Sequence, residues 1–252
     1  MDIRIDNKFF IVTGASSGFG EAITRSLIAE GGSVLAIARN PEKLERLHSD
    51  CGSRLETLVH DVTSDDFPGA LIDRINGRIP SGVVVNAGGP PPGGFFDTSI
   101  ESWDKAYNDL VSWKVKTLKM LVPLFMEAGY GRIVLIESVS VKQPVDGLIL
   151  SNSFRPAVVG MARTLATELS GKGVTINVLA PGYHDTAAMQ RLFTRKSSEA
   201  GISLDEARQQ FVFETGMGKM GDPLDFAQLA IWLLSPSSGF VTGQVISVAG
   251  NL

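Results

Sequence analysis

Thr13-Gly14-Ala15-Ser16-Ser17-Gly18-Phe19-Gly20 sets three glycines in Gly-x3-Gly-x-Gly spacing, after an apolar run and before an amphipathic one. A strand that turns on small residues into a helix lets the backbone approach a pyrophosphate. The helix N-terminus then favours its negative charge. Gly14, Ser16, Ser17, Gly18, Phe19 and Gly20 are therefore candidate cofactor-binding residues. The spacing is not the commoner Gly-x-Gly-x-x-Gly, and a glycine triplet alone also describes a plain tight turn. Strand before and helix after favour the phosphate site. About twenty residues past the glycines, a site for NAD(H) carries a carboxylate that holds the ribose 2′-hydroxyl. Here the second apolar run ends in Ala38-Arg39-Asn40. No carboxylate stands there to repel a 2′-phosphate, and a guanidinium can pair with it. Arg39 and Asn40 thus point to NADP(H), with NAD(H) as the alternative; the plainer reading of Arg39 is a solvated loop arginine.

The elements that must hold these residues alternate along the chain. Apolar runs of strand length stand at 9–12, 34–38, 55–59, 83–85, 133–136, 174–179 and 245–248. Helical stretches are expected at 18–29, 41–47, 65–75, 102–126, 151–169 and 225–234. Nearly continuous apolar strands alternating with helices predict a parallel sheet buried on both faces. The expected fold class is α/β, a doubly wound Rossmann fold of about seven parallel strands, in a single domain over 1–252. Two stretches break the rhythm. Residues 88–94 read Gly-Gly-Pro-Pro-Pro-Gly-Gly, which predicts irregular backbone. Residues 183–221 form a long insertion with room for two short helices, expected to act as a substrate lid. Both follow strands and so fall at the carboxyl edge, where open α/β sheets bind ligands.

Further motifs come in order: His60-Asp61-Val62, Asn86-Ala87-Gly88, Pro181-Gly182 with Thr186, and Val241-Thr242-Gly243-Gln244. Together with the glycine turn, they make the chain resemble the short-chain dehydrogenase/reductases over essentially its whole length. The general run is similar to 3-oxoacyl-carrier-protein reductases. The resemblance implies that Asp61 and Val62 contact the adenine and that Asn86, Ala87 and Gly88 line the cofactor site. It also implies that Pro181, Gly182 and Thr186 lie beside the nicotinamide.

The same resemblance implies an active site of Asn, Ser, Tyr and Lys, and here the chain departs from it. Ser138 matches the serine. Ser151 stands where the tyrosine belongs, Arg155 where the lysine belongs, and Leu110 at the asparagine position. A tyrosine starts near pKa ~10 and can be tuned to serve as an acid. A serine hydroxyl is far weaker, and arginine stays protonated and relays no proton. Ser151 and Arg155 are one helical turn apart and can still meet each other. The expected roles are Ser138 orienting a carbonyl oxygen, Arg155 holding the nicotinamide ribose and Ser151 donating a hydrogen bond or positioning a water. Tyr183, His184 and Lys142 are substitute acids, each more simply read as a packing or loop residue.

These residues predict an NADP(H)-dependent oxidoreductase of carbonyls or alcohols with a non-standard active site. The alternative is a catalytically impaired dinucleotide-binding protein, a sensor or structural subunit. A non-redox lyase or isomerase on the same fold is a third reading. The substrate is expected to be a small, partly apolar molecule, walled by 89–96 and the lid, with Phe95, Phe96, Met189, Leu192 and Phe193 as apolar candidates. A formal net charge of -4 argues against a nucleic-acid surface. The absence of any run of about eighteen apolar residues argues against a membrane span. One cysteine and an N-terminus without a signal-like apolar stretch point to the cytoplasm. Three scattered histidines show no metal-ligand spacing, and no metal is expected. The resemblance implies a homotetramer or homodimer, with Ala157, Val158, Met161 and Leu165 as candidate packing residues.

Overall fold

The computed structural model describes residues 3–251; the expected domain ends at residues 1, 2 and 252 lie outside them. In chain order the first half runs β1 (Phe9–Thr13), α1 (Gly18–Ala29), β2 (Ser33–Ala38), α2 (Pro41–Cys51), β3 (Leu55–Val59), α3 (Phe67–Ile75) and β4 (Gly82–Val85). The second half runs α4 (Ile100–Tyr107), α5 (Trp113–Glu127), β5 (Gly131–Ile136), α6 (Ile149–Glu168), β6 (Val174–Pro181), α7 (Met189–Ala200), α8 (Leu204–Glu214), α9 (Pro223–Leu234) and β7 (Val245–Val248). The seven strands are all parallel, in the order β3-β2-β1-β4-β5-β6-β7. This is the doubly wound Rossmann-type architecture that the alternating pattern predicts.

Successive strand residues point to opposite faces, so each strand feeds two cores. Phe10 and Val12 of β1 join Ile23 and Leu27 of α1 and Phe226 and Ile231 of α9 on one face. Ile11 joins Leu71 of α3, Leu121 and Phe125 of α5 and Val158 of α6 on the other. Burying such a side chain contributes about 1.5–3 kcal/mol, which is why near-continuous apolar strands select a sheet covered on both sides. Val158 is fully buried in this core, so it cannot serve the packing between copies expected of it.

Strand order reverses about the β1–β4 pair, and a hydroxyl fastens the junction. Thr13 Oγ1 donates to Asn86 O at 2.7 Å and accepts from Asn86 N at 2.8 Å. A strand-order reversal opens a crevice at the carboxyl edge of the sheet.

The expected single helix over 102–126 is interrupted by a π-helical turn, Asn108–Ser112, between α4 and α5. An extra residue rotates the next helical segment by about 100° relative to the preceding one. Leu110, Trp113, Lys114 and Thr117 are consequently all buried. Trp113 Nε1 donates to Asp109 O at 2.8 Å, satisfying a carbonyl of the distorted turn. Asn108, Asp109, Val111 and Ser112 are weak helix formers, but weak propensity alone does not distinguish a π-turn from a plain helical turn.

The 88–94 stretch is irregular as expected, but Gly93 forms an isolated bridge to Leu148. Gly93 N donates to Gly147 O at 2.7 Å, and Arg195 Nη1 of α7 donates to the same carbonyl at 3.0 Å. The loops after β4 and β5 are thereby tied to the 183–221 insertion. That insertion has its own small core of Met189, Phe193, Phe211 and Met220.

Candidate active site

Two adjoining cavities occupy the carboxyl edge. The larger, about 820 Å³, is lined by Gly14, Ser16, Ser17, Gly18 and Phe19 from the turn before and into α1. Arg39, Asn40 and Lys43 line it after β2, Asp61 and Val62 after β3, and Asn86, Ala87 and Gly88 after β4. Arg155, Pro181 and Thr186 close its far end. Most of the sequence-predicted cofactor residues therefore share one cavity. Gly20 lines neither cavity; a Cβ there would stand 2.2 Å from Gly14 O, so this glycine serves close packing of turn against helix. Gly182 lines only the smaller cavity.

The turn is shaped for close approach by a ligand. Gly14 has φ 60°, and a Cβ on it would lie 2.8 Å from both the Asn86 side-chain amide and the Asn86 carbonyl. Ser17 caps α1 with extended backbone and makes no side-chain cap bond, leaving the first-turn amides directed at the cavity. Asn40 caps α2, its Oδ1 accepting from Lys43 N at 2.8 Å. Arg39 is exposed, with Nη1 3.7 Å from Asp61 Oδ2. Partial burial pushes the Asp61 carboxyl up, but donors from Thr63 and the charges of Arg39 and Lys105 outweigh it and hold the group below its ordinary range. Arg39 and Lys43 leave that end of the cavity able to take an added phosphate.

The smaller cavity, about 210 Å³, is lined by Ser138, Ser151 and Arg155 together with Pro90, Pro92, Tyr183, Met189 and Leu192. Met189 and Leu192 are wall residues as expected. Phe95 and Phe96 are not: they are exposed and line neither cavity, because the 3₁₀ turn at Phe95–Asp97 carries them outward. Phe193 is withdrawn into the core of the insertion.

Ser138 caps the 3₁₀ turn after β5, its Oγ accepting from Ser140 N at 3.2 Å. Ser151 and Arg155 meet as one-turn spacing predicts: Arg155 Nε donates to Ser151 Oγ at 2.8 Å. The guanidinium is more committed than expected, since Arg155 Nη1 also pairs with Glu137 Oε2 at 3.0 Å. Glu137 closes β5 and is fully buried at its side chain. Its other oxygen accepts a charge-assisted bond from Lys114 Nζ of α5. Leu110, at the position where the resemblance expects an asparagine, is buried in the π-turn.

Sequence reasoning missed Glu137 and Lys114. The available signal was Glu137 itself, a carboxylate ending the otherwise apolar run Ile133-Val134-Leu135-Ile136. Buried charges occur almost only where they are paired, so it demanded a partner. The substitute acids fare as their plainer readings hold. Burial and the neighbouring Glu214 push the Tyr183 phenol well above its ordinary range. His184 is buried between Phe19 and Phe226, and burial lowers its imidazole pKa despite the Gly182 carbonyl and nearby aspartates. Lys142 is exposed on its loop and lines neither cavity. Among the described residues there is no cluster suited to a metal ion, and no helix is long and apolar enough to cross a membrane.

Comparison with known proteins agrees with this layout. The family described as Enoyl-(Acyl carrier protein) reductase matches residues 14–250. A 3-oxoacyl-(acyl-carrier-protein) reductase of Thermotoga maritima is 28% identical over 99% of both chains. Dehydrogenase/reductase SDR family member 6 of Aquarana catesbeiana is 30% identical over 98% of both. Among solved structures, an actinorhodin polyketide ketoreductase variant with NADPH superposes with TM-score 0.90 at 27% identity, covering 98% of this chain and 97% of that one. The L-sorbose reductase of Gluconobacter frateurii, complexed with NADPH and L-sorbose, has TM-score 0.92 at 24% identity, covers 99% and 98%, and shares the fold. Strand order, glycine turn and motif succession together place the chain in the short-chain dehydrogenase/reductase family.

Proposed function

We propose that the chain is an NADP(H)-dependent carbonyl reductase or alcohol dehydrogenase built as a single domain over 1–252, with 183–221 as the substrate lid. One observation carries this reading. The cavity walled by the glycine turn, Arg39 and the 86–88 loop runs into a second cavity holding Ser138 and Ser151, and Glu137 and Arg155 line both. A dinucleotide in the first and a small substrate in the second would meet there.

In this reading Gly14, Ser16, Ser17 and Gly18 hold the pyrophosphate, Arg39 with Lys43 takes the 2′-phosphate, and Asp61 and Val62 receive the adenine. Asn86, Ala87, Gly88, Pro181, Gly182 and Thr186 shape the nicotinamide end. When bound, the cofactor supplies or accepts a hydride. The protein's own part is to orient the carbonyl and stabilise charge on its oxygen. Ser138 binds the carbonyl oxygen. Ser151 accepts from Arg155, so its own hydroxyl hydrogen is free to point at the same oxygen. The substrate is a small molecule with an apolar part against Met189 and Leu192. Assembly as a homotetramer or homodimer in the cytoplasm belongs to the same proposal, and light scattering at micromolar concentration tests it: a monomer refutes it.

The test of function is turnover of NADPH, or reduction of NADP+, over a broad panel of carbonyls and alcohols. A second reading has its own observation. Arg155, Ser151 and Leu110 replace three of the usual catalytic residues, and Arg155 is bound on two sides. NADPH binding without turnover of any panel member would favour a non-catalytic binding protein.

A further inference from the structure

Two arginines stand one turn apart on one face of α7, and only one of them is tied down. Arg195 Nε pairs with Glu199 Oε1 at 2.6 Å, and its Nη1 donates to Gly147 O at 3.0 Å. Arg191 has no hydrogen-bond or ion-pair partner among the described residues, although it lines both cavities. Ala188 and Leu192, on the same side of the helix, line the smaller cavity with it. The face that carries Arg191 is thus turned toward the space proposed for the substrate.

The charge around that space is unbalanced. Glu137 is the only carboxylate among the residues lining the smaller cavity. Its side chain is fully buried, with one oxygen held by Lys114 and the other by Arg155, so it has nothing left to offer Arg191. Lys114, Arg155 and Arg191 are three cations against one carboxylate. Asp185, Glu199 and Glu214 of the insertion pair instead with Arg208, Arg195 and Lys196. The start of α7 adds to the same field. Its first turn holds no acidic residue, and Ala188 at the N-cap makes no side-chain cap bond. The positive end of the helix dipole therefore stands uncompensated beside a cation, an arrangement that an anion in the cavity would relieve.

We propose that Arg191 binds a carboxylate of the substrate, and that the substrate is a short-chain oxo acid or, in the oxidative direction, the matching hydroxy acid. The proposal rests on the reductase reading and adds an anionic group to its small, partly apolar molecule. Size limits the chain length: the cavity holds about 210 Å³, below the roughly 300–1,000 Å³ of most ligand pockets. A planar guanidinium presents paired N–H donors that match the two oxygens of a carboxylate. The two ends of the substrate are then told apart by chemistry, hydroxyls of Ser138 and Ser151 for the carbonyl and Arg191 for the acid, with Met189 and Leu192 beside the carbons between. A cofactor phosphate shares the carboxylate's chemistry, and Arg191 also lines the larger cavity. Yet each cofactor phosphate has a partner without it: the glycine turn and the start of α1 for the pyrophosphate, Arg39 and Lys43 for the 2′-phosphate.

The experiment follows NADPH consumption with pyruvate, acetoacetate and levulinate, which set the carboxylate progressively farther from the carbonyl, each beside its methyl ester. For the acid whose spacing fits, kcat/KM should exceed that of its ester by about 10–10²-fold, the usual worth of a charge-assisted bond. Arg191→Met, which keeps the length and removes the charge, should bring that ratio close to one, chiefly through KM. Arg191→Lys, which keeps the charge without the planar fork, should retain part of it. Calorimetric titration of the NADP+-loaded protein with the same acids should show binding that Arg191→Met loses. Esters reduced as well as acids by the wild type overturn the oxo-acid assignment and leave the reductase reading intact. Weaker NADPH binding in Arg191→Met with the acid-to-ester ratio unchanged also overturns it, and gives the guanidinium to a cofactor phosphate. If the wild type turns over no carbonyl at all, the reductase reading fails and the titration decides the site alone: binding that depends on Arg191 upholds it, and its absence removes it.

Discussion

The two halves of the carboxyl edge do their work with different parts of the chain. From β1 to β4 the cavity wall is built on a glycine turn, a helix N-terminus and short loops, with Arg39 and Lys43 at its rim. From β5 to α6 it is a charged side-chain cluster, Lys114–Glu137–Arg155–Ser151. The first half keeps the family's motifs; the second keeps only Ser138. A wall built on a glycine turn admits few residues at its tight points, because a Cβ on Gly14 meets Asn86. A side-chain cluster can be rearranged, because long side chains from neighbouring elements reach the same point. Glycines there are fixed by sterics, whereas a charge can move between helices.

The sharpest test of this contrast rebuilds the family pair. Ser151→Tyr with Arg155→Lys should raise carbonyl reduction by about 10²–10⁴-fold, and either change alone by much less, since the two act as a unit. The 210 Å³ cavity beside Ser151 has room for the ring. NADPH consumption on activated ketones measures it; absence of any gain would mean that this end of the sheet does not work through proton delivery.

Stability should divide along the same line. Glu137→Gln leaves two buried cations without their carboxylate and should cost about 3–5 kcal/mol, whereas Lys114→Met leaves Glu137 paired with Arg155 and should be near neutral. Urea unfolding of both variants decides it. Equal losses would show that the cluster is not organised around the carboxylate.

On the β1–β4 side, Arg39→Ala should weaken NADPH by about 1.5–3 kcal/mol, one to two decades, and leave NADH unchanged. Calorimetric titration of both cofactors checks this; equal affinities in the wild type would remove the 2′-phosphate assignment.

The smallest effect concerns His184. Its folded pKa is depressed by burial, so the unfolded chain binds more protons between that value and about 6.5. Its contribution to stability is present above about pH 6.5 and fades as pH falls toward the folded pKa. Between pH 7 and 5 the wild type should therefore lose more Tm than His184→Leu does. Parallel pH profiles for the two would place the acid sensitivity elsewhere.

The strands and most helices were legible because burial on both faces writes itself into consecutive residues. All seven apolar runs became strands, each within two residues of its expected ends. The phosphate turn was legible for a similar reason: its chemistry lies in adjacent residues. The active-site end was legible only where spacing along one helix decides contact, as with Ser151 and Arg155. Phe95 and Phe96 misled because their apolar character says nothing of the direction a 3₁₀ turn gives them.

By itself, then, the sequence determined the parallel sheet, the dinucleotide turn and the serine and arginine at 151 and 155 where the resemblance expects tyrosine and lysine, all of which depend on local pattern. The tertiary structure decided which charges gather behind them. Lys114 and Glu137 are 23 positions apart, one on α5 and one just past β5, and meet where the helix after the π-turn packs against the end of that strand. Buried charges must find a partner, but which partner depends on how two elements pack, and no local pattern records it.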